Sequence, residues 1–268
     1  VQDHGKPERI PVNAMKNLNF KALFHTVGGA SLAALVLFLV FSSAKSDAVR
    51  RCQGLVIRIA DDDRQLLVKK DDVEKWVTHD GNEPLTGKTI ASIDLKKLER
   101  RVENSGIIQD CQAWLDLKGN LILDVQVYKP VARILGNGNF PDRYMDENGH
   151  FFPVSKNFTP TVLLLSGDFF RDKKGLESSR NKDLLDLVNT ITADEFWNAQ
   201  ITRMDVDRRK EIRMEPLLGE NIIEFGKPEK VQTKLEKLMI FYKKIMPQEQ
   251  WSSFKHISVK YGGQIVCK

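Results

Sequence analysis

Five histidines, His4, His25, His79, His150 and His256, are the residues of this chain best suited to acid–base or metal chemistry. None stands in an HExxH run or another metal-ligand spacing. Ser166 sits in "LLSGDF", without the GxSxG turn that exposes a nucleophile. No GxGxxG or GxxxxGK[ST] loop is present to cradle phosphates. Asp61, Asp62 and Asp63 would suit a cation, but the rest of a calcium loop is missing, and a solvated loop is the expected reading. The three cysteines, Cys52, Cys111 and Cys267, are odd in number and form no CxxC pair, which speaks against a metal site. Cys52 and Cys111 either pair, if their strands lie close, or stay free thiols. Asn157-Phe158-Thr159 matches a glycosylation acceptor as easily by chance as by purpose. An enzyme would have to gather dispersed residues such as Asp146, His150 and His256. The expectation is therefore no enzyme, no cofactor, no metal and no small-molecule substrate.

Composition narrows the partners. Of 268 residues, 41% are apolar and 29% charged, with 41 basic against 36 acidic side chains. The net charge of +5 is mild and its signs are interleaved, so the basic stripe of a nucleic-acid binder is absent.

Ala22–Phe41 holds twenty residues without a charge, flanked by Lys21 and Lys45. As a helix it covers about 30 Å, the thickness of a bilayer's hydrocarbon core. Gly28, Gly29 and Ser31 give it a small-residue face for helix packing. Ser42 and Ala44 would fit cleavage before Lys45, but the apolar run is too long and too far from the start for an ordinary signal peptide. An uncleaved single-span anchor is expected, with a short cytoplasmic tail and the long part translocated.

Beyond the anchor, "GLVIRI" reads as a strand. Val73, Trp76 and Val77 have helical spacing. A second helix starts at an Asp94 cap, carries Leu95, Leu98 and Val102 on one face, and stops at Gly106. The period then changes to two. Cys111, Ala113, Leu115 and Leu117 are expected to point one way, as are Leu121, Leu123, Val125 and Val127 after a turn at Lys118-Gly119-Asn120. The order is β-α-α-β-β. From Ile134 short strands dominate. Asn148-Gly149 turns one hairpin and "DRRK" another. "KDLLDLVNTI" and "EKVQTKLEKLMIFYKKIM" read as helices, the second ended by Pro247, with Val231, Leu235, Leu238, Ile245 and Phe241 or Tyr242 inward.

The β-α-α-β-β order is that of a POTRA domain. It is followed by "YKPVARI", "YMDENGHFFP", "TPTVLLLSG", "IIEFGKPEKVQTKLEKLMIFY" and "ISVKYGGQIVC", in that sequence. A single anchor, a POTRA-like unit and these segments together resemble the bacterial cell-division family FtsQ (DivIB). The resemblance departs at the end, where Tyr261-Gly262-Gly263 is not followed by the longer tail some members carry. It implies an α+β fold: cytoplasmic tail 1–21, transmembrane helix 22–41, linker 42–50, POTRA domain 51–133, and a β-rich domain with flanking helices over 134–268. It also implies a non-enzymatic scaffold in the cell inner membrane at the division septum, mostly periplasmic. Its partners would be FtsB-like and FtsL-like single-span proteins, with FtsK and FtsI/FtsW types also in the assembly. The other classes are a POTRA-containing envelope assembly factor and a membrane-anchored envelope enzyme.

The final stretch, His256 to Cys267, reads as a strand presenting an open sheet edge. Lys260, Tyr261, Gly262, Gly263, Gln264, Ile265 and Val266 are the expected docking residues for a partner strand. Gly262 and Gly263 would permit a bulge or a close backbone approach. The competing reading is that Ile257, Val259, Ile265 and Val266 complete the chain's own core.

Overall fold

The computed structural model describes residues 32, 34–36, 38, 50–60, 66–138, 140–246 and 254–268. Most of the expected span, and with it His4, His25, Asp61–Asp63 and Pro247, lies outside them. Among the described residues no helix is long and apolar enough to cross a membrane. The described members of the span, Leu32, Ala34, Leu35, Val36 and Phe38, are helical and exposed.

The first unit is a three-stranded sheet under two helices. Strand β1 (Gly54–Ile59) is followed by α1 (Lys70–Thr78), α2 (Leu95–Glu103), β2 (Ile108–Leu115) and β3 (Asn120–Val127). The order is β1-β3-β2, with β1 parallel and β2 antiparallel to β3. The parallel pair exists because both helices sit in the crossover, and they cover one sheet face. That face carries Ile57 from β1, Cys111 and Ala113 from β2, and Leu121, Leu123 and Val125 from β3, against Val73, Val77, Leu98 and Val102 of the helices. Asp94 caps α2 as expected, its carboxylate accepting from the Lys97 N–H at 3.0 Å. Leu117 departs from expectation. The chain already turns at Asp116, whose carbonyl accepts from the Gly119 N–H, so Leu117 lies on the turn and is 95% exposed.

The second unit is a sheet of nine strands among the described residues. Its first strands are β4 (Ala132–Ile134), β5 (Arg143–Met145), β6 (Phe151–Pro153) and β7 (Leu163–Ser166). Then come α3 (Lys182–Ala193), α4 (Glu195–Gln200), β8 (Ile201–Val206), β9 (Ile212–Pro216), β10 (Ile222–Gly226) and α5 (Val231–Ile240). Strands β11 (His256–Ser258) and β12 (Val266–Cys267) complete it. The order is β12-β11-β10-β9-β8-β7-β4-β5-β6. The division expected between residues 133 and 134 cuts through β4, which pairs with β5 and β7 and so goes with this sheet. Helix α5 runs into a π turn over Phe241–Ile245. The wider turn buries both Phe241 and Tyr242 and swings Ile245, expected inside, towards solvent.

The units share a core. Tyr144 of β5 and Phe152 of β6 leave the second sheet's own cluster and fill the first unit's. Tyr128 stacks on Phe152 at 5.1 Å and on His150 at 4.6 Å. Polar contacts close the same junction. The Ser155 hydroxyl donates to the Leu67 carbonyl, and the Asn157 amide donates to Asp72 at 2.7 Å.

Candidate functional site

The expected edge strand is two strands. β11 lies parallel to β10, pairing Ile223 with Ile257 and Glu224 with Ser258. The chain then reverses, and β12 returns antiparallel to β11, pairing Ile257 with Cys267 and Ser258 with Val266. Of the seven expected docking residues only Val266 is in a strand. Lys260 to Ile265 form the connection, and Gly263 at φ +76° makes the reversal possible. A Cβ on Gly262 or Gly263 would meet nothing within 4 Å, so neither glycine serves a close backbone approach.

This split separates the two readings of the segment. Ile257 and Val259, on β11 and just after it, are fully buried and finish the core. Val266, on β12, is only half-buried, and Ile265, at the end of the connection, is half-buried against the same core. In the β11–β12 ladder His256 and Lys268 exchange both main-chain bonds, at 3.1 and 3.0 Å. Antiparallel pairs alternate, so the next pair, Ile257 and Cys267, makes no mutual bonds. The Cys267 N–H and C=O therefore point away from β11. Among the described residues no strand lies beyond β12.

The connection is pinned at both ends. The Lys237 ammonium, from α5, donates to the Tyr261 carbonyl at 2.7 Å and reaches those of Val259 and Gln264 at 3.4 and 3.5 Å. Lys260 crosses Gly226 to pair with Glu211 at 2.7 Å. The Glu211 carboxylate accepts from the Lys260 ammonium and raises its pKa above the usual lysine value. Pinning leaves Tyr261 54% exposed at the tip. A depression bounded by Glu224, His256, Ser258, Tyr261, Val266 and Lys268 runs beside the edge, on the sheet face opposite the core. In it the Ser258 hydroxyl is buried with no partner among the described residues. The site thus offers outward main-chain groups beside an exposed aromatic ring, the chemistry that strand addition uses.

The residues that could have done chemistry are spread out. Asp146 accepts from the Asn148 and His150 N–H groups and holds the β5–β6 turn. His150 stacks on Tyr128 near β6, while His256 is on β11, close to the opposite end of the sheet order. Ser166 donates to Asp205 at 2.9 Å, within the sheet. Cys52 and Cys111 are buried free thiols, and burial pushes the Cys111 thiol up to about 12. Among the described residues no three histidine, cysteine or acidic side chains are placed to hold a metal. Sequence reading missed Lys237. A lysine late in an amphipathic helix carries no local signal that its ammonium will close a loop more than twenty residues on.

Comparison with known families follows the same division of the chain. The model described as FtsQ/DivIB, C-terminal related, matches residues 129–268, and the POTRA-like domain model matches residues 50–126. No curated protein matches.

Proposed function

The chain belongs to the FtsQ/DivIB family, and from that premise we propose that it is a non-enzymatic membrane scaffold of the bacterial division machinery. One apolar helix over residues 22–41 anchors it in the inner membrane at the septum, with both folded units on the periplasmic side. Edge strand β12 captures a strand from an FtsB-like partner, itself paired with an FtsL-like protein. FtsK and FtsI/FtsW types are the further members of the assembly. No cofactor or small substrate takes part. The observation that carries this reading is the outward pair of main-chain groups on Cys267, beside the exposed Tyr261. Main-chain bonds to such an edge supply affinity, and flanking side chains supply specificity. The exposed apolar residues Leu32, Leu35, Val36 and Phe38 support the anchor.

The test is Cys267→Pro. Proline deletes the outward N–H, yet position 267 gives no bond to β11, so the chain's own ladder survives. Tyr261→Ala is its companion. Each variant is to be titrated with the periplasmic segment of an FtsB-like protein and checked for folding by circular dichroism. A folded Cys267→Pro chain that binds at wild-type affinity would overturn edge capture.

A further inference from the structure

The end of the first unit that receives the chain from residue 49 has an unusual surface. The main chain at 50–53 is strapped there between two loops. The Ile90 N–H donates to the Arg50 carbonyl, and the Gln53 N–H to that of Gly119. The Arg50 guanidinium reaches on to the Leu117 carbonyl at 2.6 Å. The β2–β3 turn needs nothing from the Leu117 side chain. Asp116 builds that turn, its carboxylate accepting from both nitrogens of Asn120 and its carbonyl from Gly119. Polar residues ordinarily occupy such a position. Here a leucine projects into solvent, next to Lys118 and the Arg50 guanidinium, while the nearby Arg51 guanidinium donates to the Gly87 carbonyl at 2.9 Å.

On the sheet face away from the helices, Val56, Ile122 and Trp114 form one row across the three strands, with Ile122 covered at 2% exposure. Val56 and Trp114 are well exposed. Trp114 donates its indole N–H to Asp124 at 2.8 Å and the Arg58 guanidinium lies over its ring at 5.7 Å, yet the residue stays 41% exposed. A single exposed leucine would need no explanation. A leucine on the turn and a tryptophan on the strand leading to it, with Arg50, Arg51 and Lys118 nearby against the Asp116 and Asp124 carboxylates, have the composition of a membrane-interface contact.

The tether fixes what lies opposite. Only Ser42–Val49 separate the apolar run from Arg50. Nine residue steps reach at most about 30 Å. A connection this short holds the tip at an effective concentration of order mM relative to the bilayer, so a weak contact suffices. Cations near an anionic surface add attraction that salt screens.

We infer that this tip, Leu117 with Arg50, Arg51, Lys118 and Trp114, docks on the anionic lipid surface of the bilayer that holds the chain's own anchor. The inference rests on the single-span reading. Docking sets the first unit's orientation: the β2–β3 turn faces the lipid and the β12 edge is carried elsewhere on a rigid body.

The experiment uses the full chain in vesicles. Leu117→Cys in a Cys267→Ser background carries an environment-sensitive fluorophore. The vesicles are phosphatidylcholine alone, or phosphatidylcholine and phosphatidylglycerol in equal parts, each with or without a nitroxide-acyl quencher. Flotation is measured on the same samples. The expected result is a blue shift and quenching in the anionic vesicles. Both should be lost in phosphatidylcholine, at high salt, or on adding Lys118→Glu. The same fluorophore at Leu217→Cys, in the second unit, should stay aqueous. A chain that floats with an aqueous probe at 117 overturns the docking and leaves the anchor standing. A chain that does not float overturns both. A blue shift that follows protein concentration and ignores lipid charge would assign the tip to a second copy and overturn the lipid reading.

Discussion

Replacing Phe152 by alanine tests whether the two units are one body. The ring belongs to a strand of the nine-stranded sheet, yet it is 1% exposed within the first unit's core. It touches Tyr128 at 5.1 Å and Tyr144 at 5.7 Å between ring centroids. Emptying a phenylalanine site in a core costs about 3–5 kcal/mol, and a lost aromatic pair accounts for ~1 kcal/mol of such a figure. Set against a total stability of about 5–15 kcal/mol, that is a large fraction. The cost should fall on the first unit, although the substitution is in the second. Native-state hydrogen exchange resolves this. Amides of β3 should lose two to three orders of magnitude of protection, at about 1.4 kcal/mol per tenfold, while those of β8 and β9 lose less. Tyr144→Phe is the paired control. The Tyr144 hydroxyl is buried with no partner among the described residues. Its removal should be neutral or stabilising by about 1 kcal/mol. If Phe152→Ala weakens only β5 and β6 and leaves β3 protected, the shared core is refuted.

Lys237→Met should leave α5 in place and free the Tyr261 tip, weakening partner binding several-fold while thermal stability changes by about 1 kcal/mol; unchanged affinity, measured by calorimetry, would remove Lys237 from the site. Asp142 is held below the usual carboxylate pKa, first by the Gly136 N–H and then by the Arg133 guanidinium. Its contribution is present above the unfolded pKa and is lost as pH falls through the folded one, so Asp142→Asn should destabilise at neutral pH and begin to converge with wild type only as pH falls below about 4 in urea titrations. With its thiol at about 12, Cys111 should resist iodoacetamide at pH 8 in the native protein, whereas Cys267, half-buried and itself raised by burial, should react faster than Cys111 and more slowly with a partner bound. Peptide mapping that finds both modified at one rate would contradict the burial of Cys111.

The elements were largely legible because their signals are local. Asp94 caps its helix where a capping residue should, and Leu121 to Val127 alternate as a half-buried strand must. The failures lie where a distant partner decides. Leu117 continues the alternation of β2 in sequence, but the Asp116 carboxylate and Asn120 start the turn earlier. Gly262-Gly263 has the look of a bulge within one strand, and only the positive φ of Gly263 shows a reversal. Tyr144 and Phe152 sit on three-residue strands, too short for periodicity to say which core they enter. The closing segment reads as one edge strand, and the in-plane geometry of the two strands it forms was not legible. Which main-chain groups face outward depends on the register of β12 against β11, and no residue type encodes that.

The strand order of the second sheet also sets a length. β6 rests on the first unit, and β12 stands at the other end of the same ladder. Eight inter-strand steps separate them, up to about 38 Å at roughly 4.8 Å per step. A hydrogen-bonded sheet resists compression along that direction, and the shared core at β5 and β6 removes the hinge at its base. A strand added at β12 is therefore held at a fixed stand-off from the unit nearest the anchor, and the sheet acts as a ruler. Inserting or deleting a strand pair would change that distance by about 10 Å while leaving both the tip and the edge chemically intact.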